Sequence, residues 1–382
     1  MKKIFIIFAL LLQCFAMSAQ TRKPQISGNL YSPSDTLLFI WLDPATGQAS
    51  KLDTIAIVNN SFEYNLPDPD KVYSVGILVK PAGQNPNELI AAMMNPIRLI
   101  AIPGEQAVVN GRIDNYTITG SQFYRDIQEV EPTYKAAEKE VNRCKRILQG
   151  LQAATNPGDY PRLYTDSMHM AQMEMSKAIF AYIKKYPNKK ASASLVIVIR
   201  NEDRHEAADL LNPDVRNGVM APYINAALAL GDHELAQEAA RKKTQAGMTA
   251  PIFTLKDMDG KDVNLTSFRG KYTVLDFWGS WCGYCIQGFP DMKASYAKYK
   301  DKIEFIGIDC QDTEEKWKSA VARYELPWVH VRNTSADDIP TMYAVTGYPT
   351  KVVIDPQGNI LKTFAGESKE FYKYLDNLLR DI

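Results

Sequence analysis

A chain of 382 residues is too long for one ordinary core, so two or three domains are expected. Its 44 lysines and arginines balance 44 aspartates and glutamates, which argues against nucleic acid or an anionic surface as partner. Five cysteines, four of them beyond the first 19 residues, are far too few for a disulfide scaffold of this length.

The N-terminus opens with Met1-Lys2-Lys3, runs through the apolar stretch Ile4–Leu12 and reaches small residues at Ser18-Ala19. A basic start, an apolar stretch too brief to span a bilayer and a small-residue cut site predict a signal peptide over residues 1–19. Gln13 stands where a lipoprotein needs a small residue before Cys14, so lipidation is not expected. The mature chain is then exported, into a compartment where disulfides persist.

Residues 20–120 read as a β-rich, sandwich-like domain. Short apolar or alternating runs at Ile26–Leu30, Leu37–Leu42, Asp53–Val58, Ser61–Asn65, Val72–Val79 and Ile97–Ile102 are separated by turn residues such as Pro44–Gly47, Asn59-Asn60 and Asp68–Asp70. No acid pair, histidine cluster or glycine loop lies here. The stretch reads equally as a docking module or a spacer.

Residues 121–246 change to helical spacing, over Phe123–Leu151 and Tyr164–Tyr186 with a break at Asn156–Asp159, then over Ser192–Asn201, Glu206–Leu211 and Ala221–Lys243. Cys144, with basic neighbours Arg143 and Lys145, reads as an ordinary helical thiol. Met168, Met170, Met173 and Met175 suggest a soft-metal tract. Helical geometry puts Met168 and Met175 on one face and the other two nearly opposite, so one cage cannot use all four and no metal site is expected.

Residues 247–382 alternate strands with helices and close on an antiparallel pair, which predicts an α/β sheet with helices on both faces. The stretch Thr273–Met292 carries the chemistry. A buried strand, Thr273–Trp278, hands over through Gly279-Ser280-Trp281 to Cys282-Gly283-Tyr284-Cys285 at the start of a helix. Two cysteines three apart at that junction predict a redox dithiol. Unpaired amides at the helix start favour a thiolate at Cys282, the attacking sulfur, with Cys285 resolving. Asp276, in an otherwise apolar strand, is expected to hold its proton to an unusually high pH. Cys310 reads as a buried free thiol.

The combination Gly247-x-x-Ala250-Pro251-x-Phe253-x-Leu255, Gly260-Lys261, Phe268–Lys271, Asp276-Phe277-Trp278, Trp281–Cys285, Pro290 and Gly347–Thr350 resembles the TlpA/ResA-like thiol–disulfide oxidoreductases of the bacterial envelope. It covers about a third of the chain. The β-rich region likewise resembles the domain of unknown role that precedes many such units. The resemblance implies a thioredoxin-like fold, no cofactor, disulfide-containing envelope proteins as substrates and a membrane-bound electron donor. It makes Asp276 the buried acid that relays a proton to or from Cys285, and Pro349 a cis-proline facing the dithiol. Tyr348 and Trp281 would then lie against the substrate, and Gly283 and Tyr284 tune the couple.

Three departures bear on mechanism. Thioredoxin sets a lysine across from the acid in the next strand, and the register here is expected to put Phe305 there, leaving Asp276 without a partner. The subfamily's glutamate three residues past the second cysteine is Gly288 here, so Asp276 is expected to act alone. Tyr284 replaces the usual proline, and Gly-Tyr is also the inner pair of DsbC-like disulfide isomerases. Motifs of this kind span about −270 to about −120 mV, so the inner pair matters, and a less reducing couple than thioredoxin's is expected. A thiol peroxidase is not expected, because Cys282 lacks the Pro-x-x-x-Thr/Ser-x-x-Cys setting. The rival outside enzymology is an envelope binding protein whose N-terminal regions carry the role.

Overall fold

The computed structural model describes residues 25–42, 49–66, 68, 70–80, 96–152, 162–334 and 336–380. The expected signal peptide, the turn at Pro44–Gly47, Pro69 and the break at Asn156–Asp159 lie outside these residues. The chain divides into two compact units within one helix, between Gly231 and Asp232.

In the first unit, β1 (Ile26–Tyr31), β4 (Ser61–Tyr64), β7 (Ala107–Arg112) and β8 (Asn115–Gly120) form one four-stranded sheet in the order β4-β1-β7-β8. A second contains β2 (Thr36–Leu42), β3 (Ala49–Ala56), β5 (Tyr73–Val79) and β6 (Ile97–Ala101) in the order β3-β2-β5-β6. The inward residues of alternating strands meet in an aromatic cluster, where Phe39 and Trp41 of β2 stack on Tyr64 of β4. Helices α1 (Gln122–Gln152) and α2 (Arg162–Lys185) pack on one another, and α3 (Lys190–Ser194), α4 (Arg204–Asp209), α5 (Pro213–Arg216) and α6 (Ala221–Lys243) follow. Strands and helices share one hydrophobic core, from Ile26 through Ile179 to Leu228. The helix expected over Ser192–Asn201 stops at Ser194, ahead of the β-branched run Val196–Ile199, and the chain turns instead.

The second unit is built on a seven-stranded sheet in the order β10-β9-β13-β12-β11-β14-β15, thioredoxin-like in its connections. Its strands are β9 (Thr254–Asp257), β10 (Asp262–Asn264), β11 (Tyr272–Trp278), β12 (Ile303–Cys310), β13 (Val329–Asn333), β14 (Thr350–Ile354) and β15 (Ile360–Ala365). The centre, β13-β12-β11, is parallel, and β14 pairs antiparallel with β11. Helix α7 (Gly283–Tyr299) crosses from β11 to β12, and α8 (Glu314–Arg323) from β12 to β13. The short α9 (Ile339–Met342) precedes β14, and α10 (Lys369–Leu378) ends the unit. Alternation along β11 sends Val274 and Trp278 into the core that α7 covers and Leu275 and Phe277 into the opposite one. Among the described residues no helix is long and apolar enough to cross a membrane.

Lys189, in the turn before α3, ties to α1 through Asp126 and Glu129. Lys189 Nζ lies 2.9 Å from Oδ1 of the buried Asp126 and 4.0 Å from the centre of the Tyr186 ring. Removing the cation leaves a buried carboxylate with the Gln122 amide, at 2.7 Å, as its remaining side-chain donor and no countercharge from Lys189. Lys189→Met should therefore destabilise this unit by about 3 kcal/mol in denaturant unfolding; an unchanged midpoint would contradict the tie.

Candidate active site

Strand β11 is buried from Thr273 to Trp278 and ends where the chain must turn outward. Cys282 is the N-cap of α7, and its Sγ accepts the Cys285 N–H at 3.1 Å. Cys282 and Cys285 are joined by a disulfide, with Cα atoms 5.3 Å apart. An amide aimed at the first sulfur and the positive end of a 17-residue helix both favour negative charge there once the bond is reduced. Both sulfurs are buried, while Trp281 and Tyr284 beside them are 50% and 69% exposed. Gly283 opens the helix at the surface.

The turn before Cys282 is pinned from β12 and the loop that follows it. Ser280 donates its backbone N–H and its hydroxyl to the Asp312 carboxylate at 2.6 and 2.7 Å. Trp281 Nε1 donates to the Cys310 carbonyl at 3.0 Å. The Trp281 ring meets the Tyr348 ring edge-on at 5.3 Å, and the Tyr348–Pro349 bond is cis. Thus the turn after β11, the end of β12 and the segment before β14 bring Trp281, the Cys310 carbonyl and Tyr348 together.

Beneath the rim, Asp276 is 4% exposed, on the face of β11 that α7 covers. The register corrects the expectation for its neighbour. Phe305 lies opposite Val274, and Gly307 lies opposite Asp276. A side chain at 307 is excluded, since a Cβ there would stand 2.6 Å from His330 Nδ1 and 3.1 Å from Trp278 Nε1. The cation instead comes from the other flanking strand, β14, where Lys351 pairs with Asp276. Lys351 Nζ is 3.8 Å from Asp276 Oδ1, a charge contact too long for a hydrogen bond, and that oxygen meets no donor among the described residues. Burial raises the pKa of Asp276, against the opposing pull of Lys351 and with some help from Glu367.

Nor is Asp276 the only acid. Glu367, in the turn between β15 and α10, accepts from Lys351 Nζ at 2.7 Å and from the Tyr372 hydroxyl at 2.6 Å. Its carboxyl occupies the space of the missing side chain on α7, for a Cβ at Gly288 would come within 2.5 Å of Glu367 Cδ. Sequence reading missed Lys351 and Glu367. The one available signal was a lysine opening the apolar strand Lys351–Ile354.

Cys310 is fully buried and free, its thiol pushed up to about 12, chiefly by burial. Cys144 is likewise buried and free; burial, then Glu140, raises its pKa, and Arg143 forks onto Glu140. The basic neighbours therefore do not activate it. Met175 is buried beside Ile179, whereas Met170 and Met173 are exposed, so the methionines do not converge.

A second buried acid stands on the other flank. Asp309, opposite Trp278 on β12, meets no hydrogen-bond donor among the described residues; burial and the neighbouring Asp312 carboxylate push its pKa to about 9. The unfolded chain ionises this group near pH 4, about 3.9, so native stability attributable to it is full below that pH. It is lost as pH rises towards about 9. Asp309→Asn, neutral at every pH, should remove this slope and gain stability over the parent increasingly from pH 5 to pH 8 in urea unfolding. Parallel profiles for the two proteins would contradict the assignment.

The AhpC/TSA family model matches residues 246–363. Thiol-disulfide oxidoreductase ResA of Bacillus thuringiensis subsp. konkukian is 34% identical over 142 residues, 37% of this chain and 80% of that protein. ResA of a Bacillus cereus strain is 36% identical over 145 residues, 38% of this chain and 82% of its own length. A solved thioredoxin domain of a thiol-disulfide oxidoreductase from Bacteroides vulgatus is 28% identical, with a TM-score of 0.34, over 35% of this chain and 98% of that one. With a helix-capping dithiol, a cis bond before Pro349 and relatives at 34–36% identity matched over four-fifths of their length, the chain belongs to the ResA-type thiol–disulfide oxidoreductases.

Proposed function

We propose that this chain is an exported oxidoreductase that reduces disulfides of envelope proteins through Cys282 and Cys285. The observation that carries the reading is the Cys285 N–H directed at Cys282 Sγ on the helix N-cap. It favours a thiolate at the first sulfur at neutral pH.

In the reduced protein the Cys282 thiolate attacks one sulfur of a substrate disulfide. A mixed disulfide forms and the other substrate sulfur leaves as a thiolate, which takes a proton from water. Cys285 then loses its proton to ionised Asp276 and attacks Cys282 Sγ. That step closes the Cys282–Cys285 disulfide and releases the second substrate thiolate. Two electrons have passed from the dithiol to the substrate, and Asp276 returns its proton to solvent. The cis peptide at Pro349 supports docking of an extended substrate segment beside the sulfurs, with Trp281 and Tyr348 as its apolar contacts. Residues 1–19 support export, and in an oxidising compartment a membrane-bound donor would have to return the electrons.

Tyr284 favours a second reading. It stands 69% exposed between the cysteines, where a proline would stiffen the turn, and the same Gly-Tyr pair suits a disulfide isomerase. Reactivation of scrambled ribonuclease without added reductant would favour isomerisation, and insulin reduction alone would favour the reductase.

Cys282→Ser should abolish insulin reduction, and Cys285→Ser should accumulate stable mixed disulfides on Cys282 in an envelope extract. Asp276→Asn should slow turnover at neutral pH by about 10²-fold. Mixed disulfides forming on Cys285 instead would reverse the assigned roles.

A further inference from the structure

Gly288 and Glu367 are distant in the chain, yet the carboxyl of one fills the volume that the other's side chain would need. The glycine therefore admits an acid brought by another element. That acid joins a row of groups: Asp276 on β11, Lys351 on β14, Glu367 in the turn after β15 and Tyr372 on α10. The Lys351 side chain is 3% exposed, and its ammonium also lies 5.5 Å from the centre of the Phe371 ring. One buried ammonium thus faces two carboxyl groups, at 2.7 Å from Glu367 and 3.8 Å from Asp276. The nearer acid holds the cation, and the farther one feels only part of its charge.

We infer that Glu367 is a positioning residue for thiol exchange: by holding Lys351 away from Asp276, it sets the pH at which Asp276 can take the proton of Cys285. This rests on the proton-accepting role of Asp276 proposed above. The carboxylate is 20% exposed, so the row also opens to solvent at the Glu367 end. Cys285 lies on α7, the helix that covers this face of β11, and the other titratable groups that interact with Asp276 are Cys310 on β12 and Tyr372 on α10. Asp291 on α7 lies close enough to act on Tyr372. None of these supplies a positive charge, so among the described residues Lys351 is the cation that opposes the burial of Asp276.

The two neighbours should act with opposite signs. In Glu367→Gln the ammonium belongs to Asp276 alone, ionisation becomes easier and the midpoint should fall by about one pH unit. In Lys351→Met the cation is gone and the midpoint should rise. Gly288→Ala leaves every charge in place but pushes the Glu367 carboxyl aside, and its midpoint should fall in the same direction as that of Glu367→Gln.

The experiment is rapid mixing of the fully reduced full-length chain with dithiobis-nitrobenzoate across a pH series. The first thionitrobenzoate reports attack by Cys282. The second reports resolution by Cys285, the step that needs Asp276. The inference predicts an acid shift of the second phase for Glu367→Gln and Gly288→Ala, an alkaline shift for Lys351→Met, and an unmoved first phase. Asp276→Asn separates the two claims. If it erases the second-phase inflection while the Glu367 and Gly288 variants leave that inflection in place, the role of Glu367 is overturned and that of Asp276 stands. If Asp276→Asn changes nothing, both fail. A fold defect alone would lower amplitudes without moving a midpoint in two directions.

Discussion

The site depends on where a helix begins. Cys282 ends an extended segment and caps α7 at the same residue, so an amide that would otherwise lack an intrahelical partner points at its sulfur. That arrangement needs β11 to stop at Trp278, the Gly279–Trp281 turn to stay in place, and the helix to be long enough to carry a dipole. Each requirement has a visible cause. The Trp278 ring packs edge-on against Phe289 of the same helix. Asp312 holds the turn through both donors of Ser280. The helix itself is anchored by Cys285, Phe289 and Met292 in one core.

Around this sulfur, charge is distributed unevenly. On one side a single ammonium serves two carboxyl groups. On the other, Asp309 and Asp312 form a pair of acids, and burial holds the inner one protonated past neutrality. His330, which pairs with Gly307 in the sheet, is kept neutral by burial, which lowers its pKa to about 3. Burial thus keeps Asp309 and His330 uncharged on this flank, while the Lys351–Glu367 ion pair lies on the Asp276 side.

Much of the second unit was legible because its signals are local. The dithiol, its helix start, the buried acid and the hairpin turns each fit within a few residues, and strand–helix alternation supplied their order. What failed was long-range. Parallel register is fixed by packing across the sheet, here by the room His330 and Trp278 require over Gly307, and no local pattern carries it. Glu367 was illegible for the same reason, since only the fold brings a turn after β15 against α7. In the first unit β7 and β8 escaped because polar residues such as Asn110, Asn115 and Thr117 break the alternation towards the exposed tip of their hairpin. The apolar run after Ser194 satisfied a helical pattern equally well, and its β-branched content was the overlooked cue.

The central claim is that Cys282 is acidified by its position on the helix N-cap. The direct measurement is the pH dependence of iodoacetamide alkylation of the reduced protein, with the modified residue assigned by mass spectrometry. The account predicts that Cys282 alkylates fastest and with a midpoint near 7, well below the ordinary thiol value of about 8.5. A Cys282 midpoint at the ordinary value, with no advantage over a free thiol at neutral pH, would contradict it.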